Sequence, residues 1–148
     1  MRHLLSLLII PLLNFGQVDE KTKNYISIGF LDHKTGTSMI GYSRSIIQNK
    51  NHELFIGFGT LIATNTLALG VKKYLLRSFI DSYSVISLQR VYGMGGEGFN
   101  APAISIGFEK KIWKKCFINL GVNSTVRFYS EGMIEFINYP NININVRF

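Results

Sequence analysis

Two histidines and the acidic residues beside them are the side chains best suited to chemistry in this sequence. Acyl-transfer catalysis requires a serine beside a histidine that an acidic group orients. His33 follows Asp32 in a predicted turn, whereas His52 precedes Glu53 at the start of a predicted strand. The two histidines then fall at opposite ends of the predicted fold, and neither is followed two residues later by a serine. We predict two separate surface histidines and no catalytic residue.

The sequence also lacks the residue patterns of a metal or cofactor site. No group of His, Cys, Asp and Glu has the spacing of metal ligands. The glycine-rich stretch from Gly93 to Gly98 lacks the strand–helix–strand context of a dinucleotide-binding loop, and we interpret it as an external loop. Cys116 is the single cysteine, which excludes an internal disulfide. The sequence therefore predicts no cofactor and no metal ion.

Composition favours a folded, apolar protein. The 148 residues are 47% hydrophobic and only 17% charged, which argues against disorder, and the length suits one domain. The formal net charge is +7, but the Lys and Arg residues form short clusters rather than a stripe among exposed aromatic residues. We therefore predict no nucleic-acid partner. Basic strand ends that face anionic lipid head groups are the favoured interpretation.

The first residues have the pattern of a secretory signal peptide. A basic start precedes an apolar run from Leu4 to Leu13, which is too short to span a bilayer as a helix. We predict a signal peptide over residues 1–17, with cleavage near Gly16 or Gln17, so that His3 is removed. Residues 18–148 would form the mature domain.

Short segments of alternating apolar and polar residues follow, and they predict an all-β domain. Eight strands are predicted: Asn24–Leu31, Thr37–Ile46, His52–Leu61, Thr66–Leu75, Tyr83–Tyr92, Ala101–Lys110, Cys116–Phe128 and Asn141–Phe148. The connections include a turn around Trp113 and a longer apolar loop from Tyr129 to Tyr139. That loop either extends the last two strands or offers a contact surface.

The two faces of these strands predict which side of the sheet is inside. One face is aliphatic and aromatic, as in Ile26, Ile28 and Phe30, while the other carries Gly, Ser and Asn. An eight-stranded barrel leaves only a narrow interior, so the small residues would face inward and the bulky ones outward. An outward apolar band with aromatic residues at its edges is suited to lipid.

The fifth strand fits this scheme least well. Ile86 and Leu88 would face outward, yet Arg90 would then face lipid as well. Either a bulge or a strand end near Arg90 would resolve the conflict.

Four charged residues fall on the inward face near one end of the predicted barrel: Glu53, Lys72, Glu109 and Arg147. An isolated charge there would be costly, so we predict that these residues pair across the lumen as a cluster of salt bridges.

The terminal strand alternates without interruption and ends on an aromatic residue, with Ile142, Ile144 and Val146 at two-residue intervals before Phe148. This pattern resembles the C-terminal strand of small bacterial outer-membrane β-barrel proteins. The resemblance implies an eight-stranded antiparallel up-and-down transmembrane β-barrel in the bacterial outer membrane. It also implies that these four residues are an assembly signal for the barrel-assembly machinery, and that outer-membrane lipids and lipopolysaccharide surround the protein.

Three functions remain open at this point. We favour a non-enzymatic outer-membrane barrel with a structural or surface-interaction role, because eight strands enclose too little lumen for a water channel. With an even number of strands both termini would lie in the periplasm, and the loops near His33, Ala63, Gly96 and Glu131 would be external. The alternatives are a lipid-modifying enzyme such as a lipid A deacylase, and a soluble secreted barrel that binds a lipid-like ligand.

Overall fold

The computed structural model describes residues 22–93, 98–128 and 134–148. The strands are β1 (Asn24–Phe30), β2 (Ile40–Gln48), β3 (His52–Leu61), β4 (Thr64–Leu76), β5 (Asp81–Gly93), β6 (Phe99–Trp113), β7 (Cys116–Phe128) and β8 (Ile134–Arg147). Each strand pairs antiparallel with the next, and β1 pairs with β8 to close a barrel. The predicted eight-stranded antiparallel barrel is confirmed. The predicted signal peptide lies outside the described residues.

The last residue takes part in closing the barrel. The amide of Asn24 donates to the carbonyl of Phe148 at 3.0 Å, and the amide of Phe148 donates back to Asn24 at 3.0 Å. Along the same seam Ile28 lies opposite Ile144, and Phe30 lies opposite Ile142. Closure leaves no unpaired edge strand, and every strand is hydrogen-bonded on both sides.

The barrel has two different ends. The terminal end holds the start of β1, the end of β8 and the turns at residues 49–51, 77–80 and 114–115. The loop end holds the connection of residues 31–39 and the tight turn at Ile62–Ala63, where Ile62 has a positive φ of 45°. Within the described ranges, no helix is long and apolar enough to cross a membrane.

The predicted division into an inner and an outer face is confirmed. Ser27 is 2% exposed inside the barrel, whereas the neighbouring Ile28 is 63% exposed outside it. The Gly, Ser and Asn side of the other strands is buried in the same way, and the aliphatic side is exposed. The phenyl rings of Phe30, Phe108 and Phe128 lie exposed on the outer face.

Several predicted strand boundaries differ from the observed ones. Trp113 ends β6 instead of lying in a turn, since β6 pairs with β7 as far as Trp113–Cys116. β8 begins at Ile134, earlier than the predicted Asn141. Residues 134–139 of the apolar loop therefore extend the β7–β8 hairpin, which was one of the two alternatives predicted for that loop. Residues 129–133 of that loop lie outside the described residues. The second strand starts at Ile40, later than predicted, because the residues before it enter the barrel.

β5 runs in register without a bulge around Arg90. It pairs continuously with β6 from Asp81 to Val91, and its register shift against β4 lies at the other end, between Tyr74 and Leu76. Tyr83 and Val85 are fully buried inside the barrel, as expected because they alternate with the outward residues Ile86 and Leu88. Arg90 is on the outer face close to the end of the strand at Gly93, and its Nη1 donates to Oδ1 of Asn100 at 3.2 Å.

Candidate functional site

Residues 31–39, which we call the plug loop, enter the lumen from the loop end of the barrel and return to the barrel wall at the exposed Met39. Asp32, His33, Lys34 and Thr35 are each at most 2% exposed. Leu31, with a positive φ of 60°, lies where the chain leaves β1 and turns inward. A positive φ is uncommon for a residue other than glycine, so this turn is locally strained. The prediction that His33 is a surface residue in an external turn is therefore wrong.

The plug loop is a compact reversal held by its own backbone. The amide of Asp32 donates to the carbonyl of Gly36 at 3.0 Å, and the amide of Gly36 donates to Asp32 at 2.8 Å. Gly36 has a φ of 72°, a conformation that glycine adopts readily. A Cβ atom at this position would also collide with Gln89 and Thr66 of the barrel wall. Glycine is required here for both reasons.

Asp32 ties the plug loop to β1. Its carboxylate accepts hydrogen bonds from the Ser27 hydroxyl at 2.6 Å, the Thr35 hydroxyl at 3.0 Å, the Tyr25 hydroxyl at 3.2 Å and the Lys34 amide at 3.2 Å. Its Oδ1 also lies 3.1 Å from Nδ1 of His33. These donors stabilise the charged form and hold the pKa of Asp32 well below its usual value against the effect of burial.

His33 is held as a neutral imidazole. Its Nε2 lies 3.3 Å from the ammonium of Lys72, which can only donate, so Nε2 accepts and the proton resides on Nδ1. Nδ1 faces the Asp32 carboxylate and the Tyr83 hydroxyl, the latter at 3.3 Å. Burial, and then the charge of Lys72, lower the pKa of His33 to about 4. Because Lys72 engages the basic nitrogen, this Asp–His pair has no free lone pair with which to activate a nucleophile.

Lys34 carries the plug loop's contact with β3. Its Nζ lies 2.5 Å from Oε1 of Glu53 on β3, and both side chains are almost fully buried. The Ser45 hydroxyl donates to the same oxygen of Glu53. The ammonium also lies over the Tyr25 ring at 4.5 Å and within 5.5 Å of the Phe55 ring centre. The plug loop is thereby tied to both β1 and β3.

A second ionic group closes the terminal end of the lumen. Lys72 Nζ lies 2.9 Å from Oε2 of Glu109, and the Arg147 guanidinium pairs with the same carboxylate. The Tyr74 hydroxyl donates to the other oxygen of Glu109 at 3.1 Å. Of the four charges singled out in the sequence, the structure brings Lys72, Glu109 and Arg147 into direct contact. The fourth, Glu53, has Lys34 as its ion-pair partner.

Among the residues that the structure describes, formal charge in the lumen is balanced. Three cations, Lys34, Lys72 and Arg147, accompany three carboxylates: Asp32, Glu53 and Glu109. Each of these ionic groups has a hydrogen-bonding partner, which burial of charge requires. These ion pairs and hydrogen bonds anchor the plug loop inside the closed barrel.

Glycines on β2 and β3 make room for the plug loop. A Cβ atom at Gly41 would collide with the Thr35 side chain, one at Gly57 with the Lys34 carbonyl, and one at Gly59 with Ser38. From the sequence we predicted that these glycines lie on the inner face, and we attributed them to crowding among the strands. Their concentration on the two strands beside the connection 31–39 was the signal that could have revealed the plug loop.

The terminal strand contributes to both faces. Ile142, Ile144 and Val146 are about half exposed on the outside, and Phe148 is partly exposed at the end of the chain. On the inside, the side-chain Nδ2 of Asn143 donates to the Leu31 carbonyl at 3.2 Å, and Oδ1 of Asn143 accepts from Nδ2 of Asn119 at 2.8 Å. The asparagine face of β8 therefore supports the start of the plug loop.

A cavity of about 320 Å³ lies at the loop end, above the plug loop. Leu31 and Thr37 of the plug loop line it from below, and Val91, Phe99 and Ile137 contribute apolar walls. Among the described residues no group of His, Cys, Asp and Glu could hold a metal ion.

Comparisons of the chain with protein-family models, curated proteins and solved structures found no match. We therefore infer the function from the geometry of the barrel, its outer surface and its plug loop.

Proposed function

We propose that this protein is an integral β-barrel of a bacterial outer membrane, with a structural or surface-interaction role and a permanently occupied lumen. The observation that carries the proposal is the reversed distribution of polarity. Ile28, Ile86 and Ile106 are each at least 60% exposed in the outer wall, whereas Lys72, Asn119 and Asn123 are fully buried inside. A protein that folds in water places these two classes the other way round.

The outer wall supports a lipid environment on energetic grounds. Exposed Ile, Leu, Val and Phe side chains cover successive strands around the barrel, a continuous patch far larger than soluble monomers show. In hydrocarbon this surface needs no cover, and the closed sheet satisfies its own backbone hydrogen bonds. Aromatic side chains near strand ends, such as Phe30 and Phe128, would lie at the membrane interfaces.

The occupied lumen argues for a structural role over transport. The plug loop lies inside the barrel and is fastened by the Lys34–Glu53 ion pair, while Lys72, Glu109 and Arg147 close the terminal end. An eight-stranded barrel leaves room for little beyond its own side chains. Partners at the outer surface would be outer-membrane lipids and lipopolysaccharide. The terminal strand, with Ile142, Ile144, Val146 and Phe148, would be read by the barrel-assembly machinery.

The two alternative functions fit these contacts less well. A lipid-modifying enzyme needs a catalytic group that reaches the acyl chains, but His33 is sealed inside the lumen and His52 is exposed at the terminal end. A soluble lipid-binding barrel needs an apolar interior and a polar exterior. Here the interior carries charges and asparagines.

Gel mobility tests the proposal directly. The chain is refolded in detergent, and its migration is compared with and without boiling. A closed membrane barrel should migrate differently before and after boiling, and it should partition with the outer-membrane fraction of cells. A protein that stays monomeric and folded without detergent would contradict the proposal. Deletion of Phe148 should reduce outer-membrane assembly in cells, whereas Phe128→Ser, a change at another exposed phenylalanine, should reduce it less.

A further inference from the structure

The positive charge of the protein is concentrated on the outer rim of its terminal end. Eight Lys and Arg side chains lie there: Lys23, Lys50, Lys73, Arg77, Lys110, Lys111, Lys114 and Lys115. Asp81 is the one acidic side chain of that rim among the described residues, and its carboxylate accepts from the Ser78 amide at 3.0 Å. Arg44 is exposed on the outer face of β2, opposite Asn24. The described part of the loop end carries Arg90, Arg127 and Glu135, and the cations and carboxylates described in the lumen balance. The rim therefore accounts for most of the net charge.

The cations are densest on one side of this rim, between two neighbouring hairpins. β5 starts at Asp81 opposite Glu109, so residues 110–113 of β6 extend beyond the last pair with β5. There they pair with β7 alone, up to Trp113–Cys116. The turn at residues 77–80 packs against this extension, with Lys110 Nζ 4.3 Å from the centre of the Phe79 ring. We call these two hairpin ends the basic–aromatic patch.

Large apolar side chains stand among the cations of the basic–aromatic patch. Phe79 is 79% exposed, Trp113 is 75% exposed, and Ile80 and Ile112 are also exposed. Lys111, Lys114 and Lys115 are exposed beside them. A soluble polyanion would neutralise the lysines and leave these apolar groups in water. A lipid satisfies both, because its phosphate meets the cations and its acyl chains meet the rings.

We propose that the basic–aromatic patch is a binding site for an anionic phospholipid in the leaflet at the terminal end of the barrel. This inference rests on the proposed function, because it requires the barrel to be embedded in a membrane. With both chain ends on the periplasmic side, the patch contacts the inner leaflet of the outer membrane. The phosphate lies between Lys110 and Lys114, and the acyl chains run along Phe79 and Ile112.

The single tryptophan of the chain reports on this site directly. The protein is reconstituted into phosphatidylcholine vesicles that contain phosphatidylglycerol, with brominated acyl chains on one lipid or on the other. Bromine quenches tryptophan on contact, so the two series compare the lipids beside Trp113. A surface cation contributes roughly a fivefold preference for anionic lipid. We therefore expect quenching by brominated phosphatidylglycerol to exceed its share of the bilayer severalfold, and to fall toward that share at high salt.

Two double variants with equal loss of charge locate the effect. Lys110→Gln/Lys114→Gln should remove most of the preference for phosphatidylglycerol. Lys23→Gln/Lys50→Gln, on the opposite side of the same rim, should leave it unchanged. Gel mobility before and after boiling establishes that each variant has folded. A protein that does not shift on boiling would contradict the proposed function. In a folded barrel, quenching by each lipid in proportion to its share of the bilayer, or equal loss of the preference in both double variants, would overturn the lipid site alone.

Discussion

The ion pair between Lys34 and Glu53 gives the sharpest test of the plug loop. The ammonium and carboxylate are 2.5 Å apart, and the two side chains are 2% and 4% exposed. Removing one member of a buried pair leaves the other charge without its partner, which costs about 3–5 kcal/mol of unfolding free energy. We expect a loss of this size for Lys34→Met and for Glu53→Gln separately. Methionine keeps most of the volume of the Lys34 side chain, so packing is largely retained.

The double variant separates the ion pair from simple packing. With both charges removed, no unpaired charge remains, and the loss should be smaller than the sum of the single losses by about 2–4 kcal/mol. Urea unfolding in lipid vesicles, followed by Trp113 fluorescence and by gel mobility, measures all four proteins. Lys50→Met, the same change at an exposed lysine, serves as the control and should alter stability little. Single variants as stable as the original protein, or losses that add without coupling, would refute a plug loop fastened by this pair.

Three further predictions concern the same interior. Gly57→Ala should lower the unfolding free energy by about 1–3 kcal/mol, because its methyl group meets the plug loop. Gly93→Ala meets no atom of the described residues within 4 Å and should be neutral in the same urea titration. Glu109→Gln should cost about 3–5 kcal/mol by leaving Lys72 and Arg147 without their shared carboxylate, and wild-type stability in that variant would exclude a closing salt bridge. Burial lowers the pKa of His33 from its ordinary 6.5 to about 4, so the unfolded chain binds more protons in this range and stability should fall as the pH drops from 6.5 to 4. The full shift corresponds to about 3 kcal/mol. His33→Gln should flatten this part of the pH profile, while His52→Gln should not, and a profile indifferent to both would count against a buried neutral His33.

Strand number, antiparallel order and the inner and outer faces could be predicted from the sequence because they depend on a local signal. Side chains alternate across a strand with a period of two. The order Ile142, Asn143, Ile144 therefore shows which residues share a face, whatever strands lie beside them. The same alternation placed Glu53, Lys72, Glu109 and Arg147 on the inner face. The predicted strand ends were less accurate. β6, for example, was predicted to end at Lys110 but continues to Trp113, because it still pairs with β7 there.

The plug loop was decided only by the tertiary structure. Asp32, His33 and Lys34 have the polar composition of an exposed turn, and no local pattern directs them inward. Their burial becomes favourable only when eight strands close and bring Ser27, Glu53 and Lys72 within reach of one small volume. Partners that lie on different strands, far apart in the chain, cannot be read from spacing. The sequence determined which charged and polar side chains face inward. Closure of the barrel determined which of them lie close enough to form ion pairs and hydrogen bonds.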